Sequence, residues 1–326
     1  IPQIIIDDII KKVNSYEYFI KLDIKGFYAA ISQEKLLVKL KRKIRKKEII
    51  NLIEKAIKTA SISYPVKDTI PRVERKRGIP EGLPISNALA NIYMMDLDKK
   101  YSGKDNISYY RYVDDILILV NKNDFDSVKK EIAGDIEKLK LEFNEKKDEG
   151  FVEQGFEYLG YRINSWMVTV RRSGVLKIEQ SIEDLFRTIR NNNIKYIQWK
   201  INLKITGFIL EKKKYGWLFF YSQITDLTLL FHLDDVVRKL IERYGLNGKI
   251  KIKRFVRTYA EMHKALHVTR YIPNLDDLTV DKKRTLLSEI YNIDLTGKSD
   301  DILEIFFRKI MKREIRDIEK DIQNIS

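Results

Sequence analysis

Alternating apolar and polar residues near the start of the chain predict a half-buried β-strand. Over residues 18–24, the side chains of Ile20, Leu22 and Ile24 fall on one face of this strand. Asp23 falls on the other face, at the end of the strand, because successive side chains of a strand point to opposite sides. The pattern therefore places a carboxylate at the tip of a strand that is otherwise apolar.

Helical periodicity dominates the next stretch of the chain. Ser32 is typical of an N-cap, which begins a helix by accepting a backbone hydrogen bond. The predicted helices cover residues 34–46, 47–60, 83–100 and 124–140. A loop rich in proline and glycine separates the second helix from the third. Apolar residues on both sides of an Asp–Asp pair predict a strand–turn–strand over 108–120, and a second hairpin is predicted over 156–170.

The second half of the chain has a mostly helical pattern. Helical segments are predicted from about residue 177, ending in an amphipathic stretch over 300–323. The sequence therefore predicts an α/β domain over residues 1–175 and a mostly α-helical domain over residues 176–326. The continuous apolar run that includes Trp217 favours core packing over base stacking.

The composition narrows the environment of the protein. Its 326 residues are 44% hydrophobic, which is enough for one large or two medium domains. No cysteine is present, so disulfides and thiolate metal sites are excluded and a reducing compartment is favoured. The sequence lacks a signal-peptide pattern and a continuous apolar run of about 18 residues, so we expect a cytoplasmic protein without a membrane partner. Because the sequence starts at Ile1, we expect that a segment precedes it.

The charge of the chain favours a polyanionic partner. Lys and Arg number 62 against 47 Asp and Glu, a net charge of +15. An excess of positive charge of this size can neutralise phosphate groups, and it therefore favours nucleic-acid binding. The same excess also occurs in ribosomal and membrane-surface proteins. The basic run over 249–257 is a candidate track for a nucleic-acid backbone. His263 and His267 have the spacing of a helical zinc site, but without a third ligand we predict no zinc there.

Three aspartates form the candidate chemical site. Asp114 and Asp115 lie in the predicted turn, and Asp23 ends the strand described above. Each taken alone is compatible with a solvated turn, because Asp commonly forms turns. If the strand lies beside the hairpin, three carboxylates converge on one surface. Such a cluster can hold two hard cations such as Mg²⁺.

Five motifs in this order resemble those of reverse transcriptases. They are residues 23–28 (DIKGFY), 78–86 (GIPEGLPIS), 112–115 (YVDD), 141–147 (LEFNEKK) and 156–161 (FEYLGY). The first three are similar to the family's palm motifs, the fourth to its pyrophosphate-side motif and the fifth to its primer-grip hairpin. The resemblance covers about half of the chain. It implies a right-hand polymerase palm of α/β type with partial fingers, followed by a mostly α-helical thumb-like domain.

The resemblance also implies an activity and its residues. The family transfers nucleotides from dNTPs on an RNA template, makes a DNA product, and uses two Mg²⁺ ions that Mn²⁺ can replace. The implied metal ligands are Asp23, Asp114, Asp115 and the backbone of Ile24. Lys147 is the candidate acid toward pyrophosphate. The remaining implied substrate contacts are Tyr28, Ile24, Gly26, Phe27, Glu81, Gly82 and Arg77.

One of these residues bears on sugar selection. Tyr28 occupies the steric-gate position in the resemblance, where an aromatic ring leaves no room for a 2′-hydroxyl and so favours deoxynucleotides. A core tyrosine is the alternative interpretation. Two positions depart from the family pattern. Gly26 stands where an acidic residue is common, and Glu81 replaces a glutamine, so we expect Glu81 to pair with a basic side chain of residues 72–77. Only 22 residues precede Asp23, which implies that much of the fingers region is shortened or lies outside this sequence.

The kind of reverse transcriptase is a further expectation. The run IPEGLPIS over residues 79–86, Tyr93 and the long helical second half look most like the bacterial defence-associated group, which includes abortive-infection enzymes. That resemblance implies antiphage defence, with a noncoding RNA, a partner protein or a homo-oligomer as further partners. The alternatives are a retron or group II intron-type enzyme, a template-independent or protein-primed DNA polymerase, and a non-catalytic nucleic-acid-binding scaffold.

Overall fold

The computed structural model describes residues 2–59, 76–145, 148–188 and 193–322. The chain divides into two compact units. The N-terminal unit consists of Pro2 and Asp8–Phe156, and the C-terminal unit of Gln3–Asp7 together with the chain from Glu157 onward. The division into functional domains after residue 175 stays a prediction.

The N-terminal unit contains a sheet and the helices around it. Its elements are α1 (Pro2–Lys12), a 3₁₀ turn (Val13–Ser15), β1 (Tyr18–Asp23), α2 (Phe27–Ala30), α3 (Gln33–Lys41), α4 (Lys47–Lys58), α5 (Ser86–Ser102), β2 (Ile107–Tyr112), β3 (Asp115–Val120), α6 (Lys122–Lys138), β4 (Asp148–Phe151) and a 3₁₀ turn (Val152–Gln154). Residues 3–7 of α1 group with the C-terminal unit.

The sheet of this unit is antiparallel, with strand order β2-β3-β1-β4. Every residue of β3 is buried, because this strand lies between two others and is covered on both faces. On β1, Ile20 and Leu22 enter the core as predicted, and Phe19 is buried as well, against the ring of Phe156 at 4.9 Å. Both faces of the sheet are therefore covered where β1 begins.

The predicted helices of this unit are confirmed, with shifted ends. Ser32 caps α3 by accepting a hydrogen bond from the amide of Lys35. This helix ends at Lys41 and not at residue 46 as predicted, because the chain turns at residues 42–43 and residues 44–46 are irregular before α4. The third predicted helix begins at Ser86, three residues late, since residues 81–85 form turns. α3, α5 and α6 pack Leu36, Tyr93 and Ile132 into one core.

The C-terminal unit is mostly helical, as predicted. Its elements are β5 (Phe156–Tyr158), which starts on the last residue of the other unit, β6 (Tyr161–Ile163), β7 (Val168–Val170), α7 (Arg172–Arg187), α8 (Ile194–Thr206), β8 (Phe208–Leu210), β9 (Lys213–Tyr215), α9 (Trp217–Phe220), α10 (Leu227–Arg243), α11 (Phe255–Lys264), a 3₁₀ turn (Leu275–Asp277), α12 (Val280–Thr285), a π-helix (Leu286–Ile290) and α13 (Asp300–Lys320).

Two parts of this unit differ from the expectation. The hairpin predicted over 156–170 is a sheet of three short strands. The β8–β9 hairpin was not predicted, because its two strands have only three residues each and give no readable alternation. The prediction that Trp217 belongs to the core is confirmed, since it is 1% exposed. Within the described ranges, no helix has the length and apolarity needed to cross a bilayer.

Candidate active site

The strand register brings two of the predicted aspartates face to face. Asp23, the last residue of β1, pairs with Asp115, the first residue of β3. Asp114 precedes it in the β2–β3 turn, and the Asp114 carbonyl accepts a hydrogen bond of 3.3 Å from the amide of Ile24. The structure therefore places Asp23, Asp114 and Asp115 at the same end of the sheet, as the sequence predicted.

The tight β2–β3 turn sets the position of Asp114. Val113 has a φ of +59°, a left-handed conformation that is unfavourable for a β-branched residue. Arg111 supports this conformation, because its Nη1 donates to the Val113 carbonyl at 2.7 Å. The same guanidinium donates to both carboxylate oxygens of Asp98 in α5, at 2.7 and 2.6 Å. The turn is thus fixed to a neighbouring helix.

A segment following α6 holds Asp23. The Asn144 amide donates to the Asp23 carbonyl at 2.8 Å, and the Asn144 side chain also donates to the Asp23 carboxylate. Ile24 and Phe143 form an antiparallel β-bridge between these segments, and the Lys25 amide donates to the Glu142 carbonyl at 2.8 Å. The fourth predicted motif thereby fixes the position of the first aspartate.

The electrostatics of the site oppose ionisation of one carboxylate. Burial raises the pKa of Asp114 above its usual value, and the negative charges of Asp23 and Glu81 raise it further. The positive charge of Arg111 acts in the opposite direction. Burial, together with the neighbouring negative charges, therefore opposes ionisation of Asp114.

Tyr28 lies next to this negative charge. Its hydroxyl donates to the side chain of Asn87 in α5. Burial raises the pKa of Tyr28, and the charges of Asp114 and Glu81 add to the effect. Phe27 is only 2% exposed and belongs to the core, so any substrate contact of this residue comes from its backbone.

The glycine-rich loop before α5 is fixed beside Tyr28. Gly78 has a φ of +79°, and its amide donates to the Ile31 carbonyl at 2.8 Å. A Cβ on Gly78 would lie 2.7 Å from the Ala29 carbonyl oxygen, so this approach requires glycine. The Ser86 hydroxyl closes the loop by donating to the Pro80 carbonyl at 2.6 Å.

The remaining predicted substrate residues have mixed positions. Gly26 and Gly82 both have a positive φ, and a Cβ added at either would meet no atom within 4 Å, so their backbones are accessible. Arg77 is one of the basic residues of 72–77 expected to pair with Glu81, and it bonds elsewhere. Its Nε and Nη2 donate to the backbone carbonyls of Ala30 and Lys140 instead, at 3.1 and 2.8 Å.

Several candidates stay predictions. The guanidinium of Arg77 is occupied by backbone groups, so its contact with a triphosphate stays a prediction. Lys147 and the basic side chains of residues 72–75 lie outside the described residues. Ile24 is 1% exposed, which leaves its backbone as the part that can reach a ligand.

The donor chemistry of the site fits a hard divalent cation. Carboxylate and carbonyl oxygens are the ligands that Mg²⁺ prefers, and a cation would relieve the charge that raises the pKa of Asp114. In the described ranges, however, no three His, Cys, Asp or Glu side chains already form a group that could hold a metal. The Asp23 carboxylate accepts a hydrogen bond from Asn144, and its second oxygen stays available as a metal ligand.

Sequence reasoning missed the groups that hold the site in place. Arg111 and Asp98 fix the turn, and the Asn87 side chain accepts a hydrogen bond from the Tyr28 hydroxyl. The sequence could have indicated the role of Arg111, because an arginine in a largely apolar strand needs a carboxylate partner when it is buried. The identity of that partner depends on how α5 packs, and the sequence does not specify this packing.

Comparisons with solved structures give low overall likeness. The apo telomerase from Candida tropicalis truncated from its C-terminal domain shares 24% identity over 52% of this chain and 38% of that chain, with a TM-score of 0.42. The telomerase from Candida albicans in complex with a TWJ fragment of telomeric RNA shares 14% identity over 94% and 50%, with a TM-score of 0.45. An apo telomerase from Candida tropicalis shares 16% identity over 99% of this chain and 51% of that chain, with a TM-score of 0.44. This chain covers about half or less of each.

The family comparison is specific. No curated protein matches the sequence significantly. Residues 2–163 match the family model described as reverse transcriptase (RNA-dependent DNA polymerase). This range contains the sheet, the three aspartates and the glycine-rich loop, and the match confirms the right-hand polymerase fold. In residues 2–163, the chain therefore carries a domain of the reverse transcriptase family, which is a family of RNA-directed DNA polymerases.

Proposed function

We propose that this protein is an RNA-directed DNA polymerase, which extends a primer with deoxynucleotides at the end of the β1–β3 pair. The observation that supports this most is the register of the sheet, in which Asp23 lies opposite Asp115 and Asp114 occupies the adjoining turn. In the reaction, a primer hydroxyl attacks the α-phosphate of a dNTP and pyrophosphate leaves.

The proposed cofactors are two Mg²⁺ ions, which Mn²⁺ can replace. Asp23, Asp114 and Asp115 would hold them together with the carbonyl of Ile24. When bound, such ions make the primer hydroxyl easier to deprotonate and neutralise charge on the phosphates. The raised pKa of Asp114 supports this assignment, since the site has negative charge to be neutralised.

The protein's own groups would position the reactants. Arg111 fixes the turn that presents Asp114, and Asn144 orients the carboxylate of Asp23. The ring of Tyr28, held by its bond to Asn87, would exclude a 2′-hydroxyl from the incoming nucleotide. Lys147 is our candidate for donating a proton to the leaving pyrophosphate.

We place the enzyme in bacterial antiphage defence, acting in the cytoplasm with a noncoding RNA, a partner protein or a second copy of the chain. Support comes from the sequence run over residues 79–86, from Tyr93 and from the mostly helical C-terminal unit. Tyr93 is fully buried and donates to the Leu139 carbonyl, so its contribution is to the packing of α5 on the segment that follows α6.

The direct test is polymerisation by the purified protein with its co-purified RNA, using each labelled dNTP and NTP with Mg²⁺. The variant Asp114→Ala/Asp115→Ala should lose incorporation. The matched control, Asp105→Ala/Asp126→Ala, removes two exposed acidic residues of the same unit and should keep it. Sensitivity of the product to RNase or protease then distinguishes an RNA primer from a protein primer.

Three other outcomes would redirect the proposal. Incorporation without any template would favour a template-independent polymerase, and a branched RNA–DNA product would favour a retron-type enzyme. Retained RNA binding without incorporation of any nucleotide would favour a non-catalytic scaffold.

A further inference from the structure

A cavity of about 610 Å³ opens at the N-terminal end of α7, within the C-terminal unit. Its wall contains Arg171, Ser173 and Gly174 from the start of this helix. Tyr221, the residue that follows α9, also belongs to the wall. None of the three candidate catalytic aspartates lines this cavity, so it is separate from the site described above.

Arg171 brings a charge to this cavity that the protein does not balance. Its side chain is half-buried, and its Nε is fully buried without a hydrogen-bond partner. In the described part of the chain, the guanidinium forms no hydrogen bond and no ion pair. The two carboxylates of the wall are already paired. Asp184 lies 3.4 Å from Arg187, and Asp321 lies 2.5 Å from Lys204. A buried donor without a partner is unfavourable, so an anion from solution would be bound favourably.

The Tyr221 hydroxyl is a second unpartnered donor at the same place. Tyr221 is only 2% exposed, and burial raises the pKa of its hydroxyl to about 12, although the charge of Arg171 acts against this. The hydroxyl therefore keeps its proton at neutral pH. Among the described residues, no group accepts a hydrogen bond from it. The neighbouring Tyr161 differs, because its hydroxyl donates to the Phe220 carbonyl at 2.6 Å, as is usual for a buried tyrosine.

Two glycines allow the Tyr221 hydroxyl to reach the cavity. A Cβ on Gly160 would lie 2.9 Å from the Tyr221 hydroxyl oxygen, and a Cβ on Gly174 would lie 3.2 Å from it. Gly174 is the third residue of α7 and lines the cavity, so the hydroxyl lies at the first turn of this helix. Glycine is less favourable than alanine inside a helix, and the close approach of Tyr221 explains its presence here.

The first turn of α7 has the polarity that attracts an anion. A helix N-terminus carries unpaired amides and a partial positive charge. This helix has 16 residues, no side-chain cap and no acidic residue in its first turn. Arg171 and Arg172 instead add positive charge at the end where the helix dipole disfavours it. An anion bound at this end would relieve the repulsion.

We propose that this cavity binds the phosphate group of a small molecule, with Arg171 and the Tyr221 hydroxyl as its ligands at the N-terminus of α7. A guanidinium presents its N–H groups in a fork that matches phosphate oxygens, and a helix N-terminus adds amide donors. One guanidinium, one hydroxyl and one helix end in a single cavity fit one phosphate group. A nucleic-acid backbone is bound instead by many cations spread along a surface. The inference does not depend on the proposed polymerase activity.

The test is thermal unfolding of the full chain at increasing concentrations of inorganic phosphate or adenosine 5′-monophosphate, which gives an apparent Kd for each. EDTA is present, so divalent metal at the aspartates does not contribute, and NaCl keeps the ionic strength constant. Arg171→Met and Tyr221→Phe should each raise the Kd at least about tenfold, the effect of losing a hydrogen bond to a charged group. The compound with the lower Kd identifies the source of the phosphate group.

The variants also give a second readout, in the absence of phosphate. Arg171→Met removes an unbalanced charge and keeps a side chain of similar length, so it should unfold at or above the wild-type temperature. A lower unfolding temperature would mean that the charge is balanced within the protein, and the basis of the proposal would be lost.

Two control variants match these changes. Arg162→Met removes an exposed arginine of the same unit, and Tyr161→Phe removes a hydroxyl that is bonded within the protein. Both should keep the wild-type Kd for phosphate. The proposal is overturned if phosphate shifts the wild type no more than NaCl does, or if both site variants still bind phosphate as the wild type does. A labelled oligonucleotide without terminal phosphates should bind the wild type and the site variants equally. Its loss in the variants would assign the cavity to a nucleic-acid backbone and contradict the proposal.

Discussion

Arg111 of β2 and Asp98 of α5 form a two-point ion pair, with Nε and Nη2 of the arginine at 2.7 and 2.6 Å from the two carboxylate oxygens. The third nitrogen of the guanidinium reaches the carbonyl of Val113, the residue before Asp114. The pair therefore links a helix to the turn that carries a candidate catalytic aspartate. The side chain of Arg111 is only 7% exposed, so water competes little for these bonds.

Replacing Arg111 tests this link. In Arg111→Lys the charge remains, but one ammonium cannot bind both oxygens of Asp98 and the Val113 carbonyl in the same geometry. We expect kcat for dNTP incorporation to fall about 10- to 100-fold through misplacement of Asp114, with a smaller change in KM. Arg45→Lys, at an exposed position of the same unit, should leave both constants unchanged. An unchanged kcat in Arg111→Lys would show that the turn keeps its geometry without this link.

The ring of Tyr28 gives a second prediction. Tyr28→Val removes the ring, so the ratio of rNTP to dNTP incorporation efficiency should rise by at least about tenfold, the size of about 1.4 kcal/mol of lost discrimination. Tyr28→Phe keeps the ring and loses only the bond to Asn87, so it should keep most of the discrimination. The measurement is single-nucleotide extension with matched dNTP and rNTP. If both variants discriminate as the wild type does, Tyr28 is a packing residue.

Two glycines of the N-terminal unit should respond in opposite directions to alanine. Gly78 has a φ of +79° and an alanine Cβ would meet the Ala29 carbonyl oxygen at 2.7 Å, so Gly78→Ala should destabilise the protein by at least about 2 kcal/mol. Gly134 lies inside α6 with no atom within 4 Å of a Cβ, so Gly134→Ala should stabilise it by about 0.5–1 kcal/mol. Urea unfolding of both variants measures the difference. Equal effects would mean that the close approach at Gly78 is not rigid.

The sequence was sufficient for the parts of the site that depend on local pattern. Alternation placed Asp23 at the end of a strand, and the apolar residues around Asp114 and Asp115 placed these two in a turn. Ser32 identified its helix start, because a cap depends on residues within one turn. These features need no knowledge of how distant elements pack.

Interactions over long sequence distances could not be predicted in this way. Arg77 bonds to the carbonyls of Ala30 and Lys140, far from it in sequence, while pairing of Glu81 with a basic residue of 72–75 stays a prediction. The left-handed conformation of Val113 contradicts its residue preference, since β-branched residues favour extended backbone. Tertiary contacts decide both features, and Arg111 stabilises the second of them.

The helix pair α5–α6 should make folding stability depend on acid pH. Burial opposes ionisation of Asp135, but hydrogen bonds from Lys100, Lys138 and Tyr101 outweigh it and lower its pKa to about 2. Because the pKa of Asp135 is lower in the folded state, its charge stabilises the fold at every pH above the pKa of the unfolded chain, near 4. This stabilisation is lost as the pH falls toward 2. Asp135→Asn should therefore cost about 2 kcal/mol at pH 6 and about 1 kcal/mol near pH 3.

Thermal unfolding of both proteins between pH 3 and pH 6 measures this effect. Asp126→Asn, at an exposed position of α6, serves as the control and should follow the wild type across the range. A cost of Asp135→Asn that stays constant with pH would mean that the hydrogen bonds, and not the charge, stabilise this contact.

Metal binding should reverse the stability order of the wild type and a variant of the aspartate site. Burial and the charges of Asp23 and Glu81 raise the pKa of Asp114, so its ionised form is unfavourable in the metal-free protein at neutral pH. Asp114→Asn should therefore unfold at a higher temperature than the wild type in EDTA. Magnesium at ten times its Kd should stabilise the wild type by about 1.4 kcal/mol and the variant by much less, because the variant has lost a ligand. A wild type whose unfolding temperature does not respond to Mg²⁺ or Mn²⁺ would contradict the assignment of these aspartates as metal ligands, whatever the activity of the preparation.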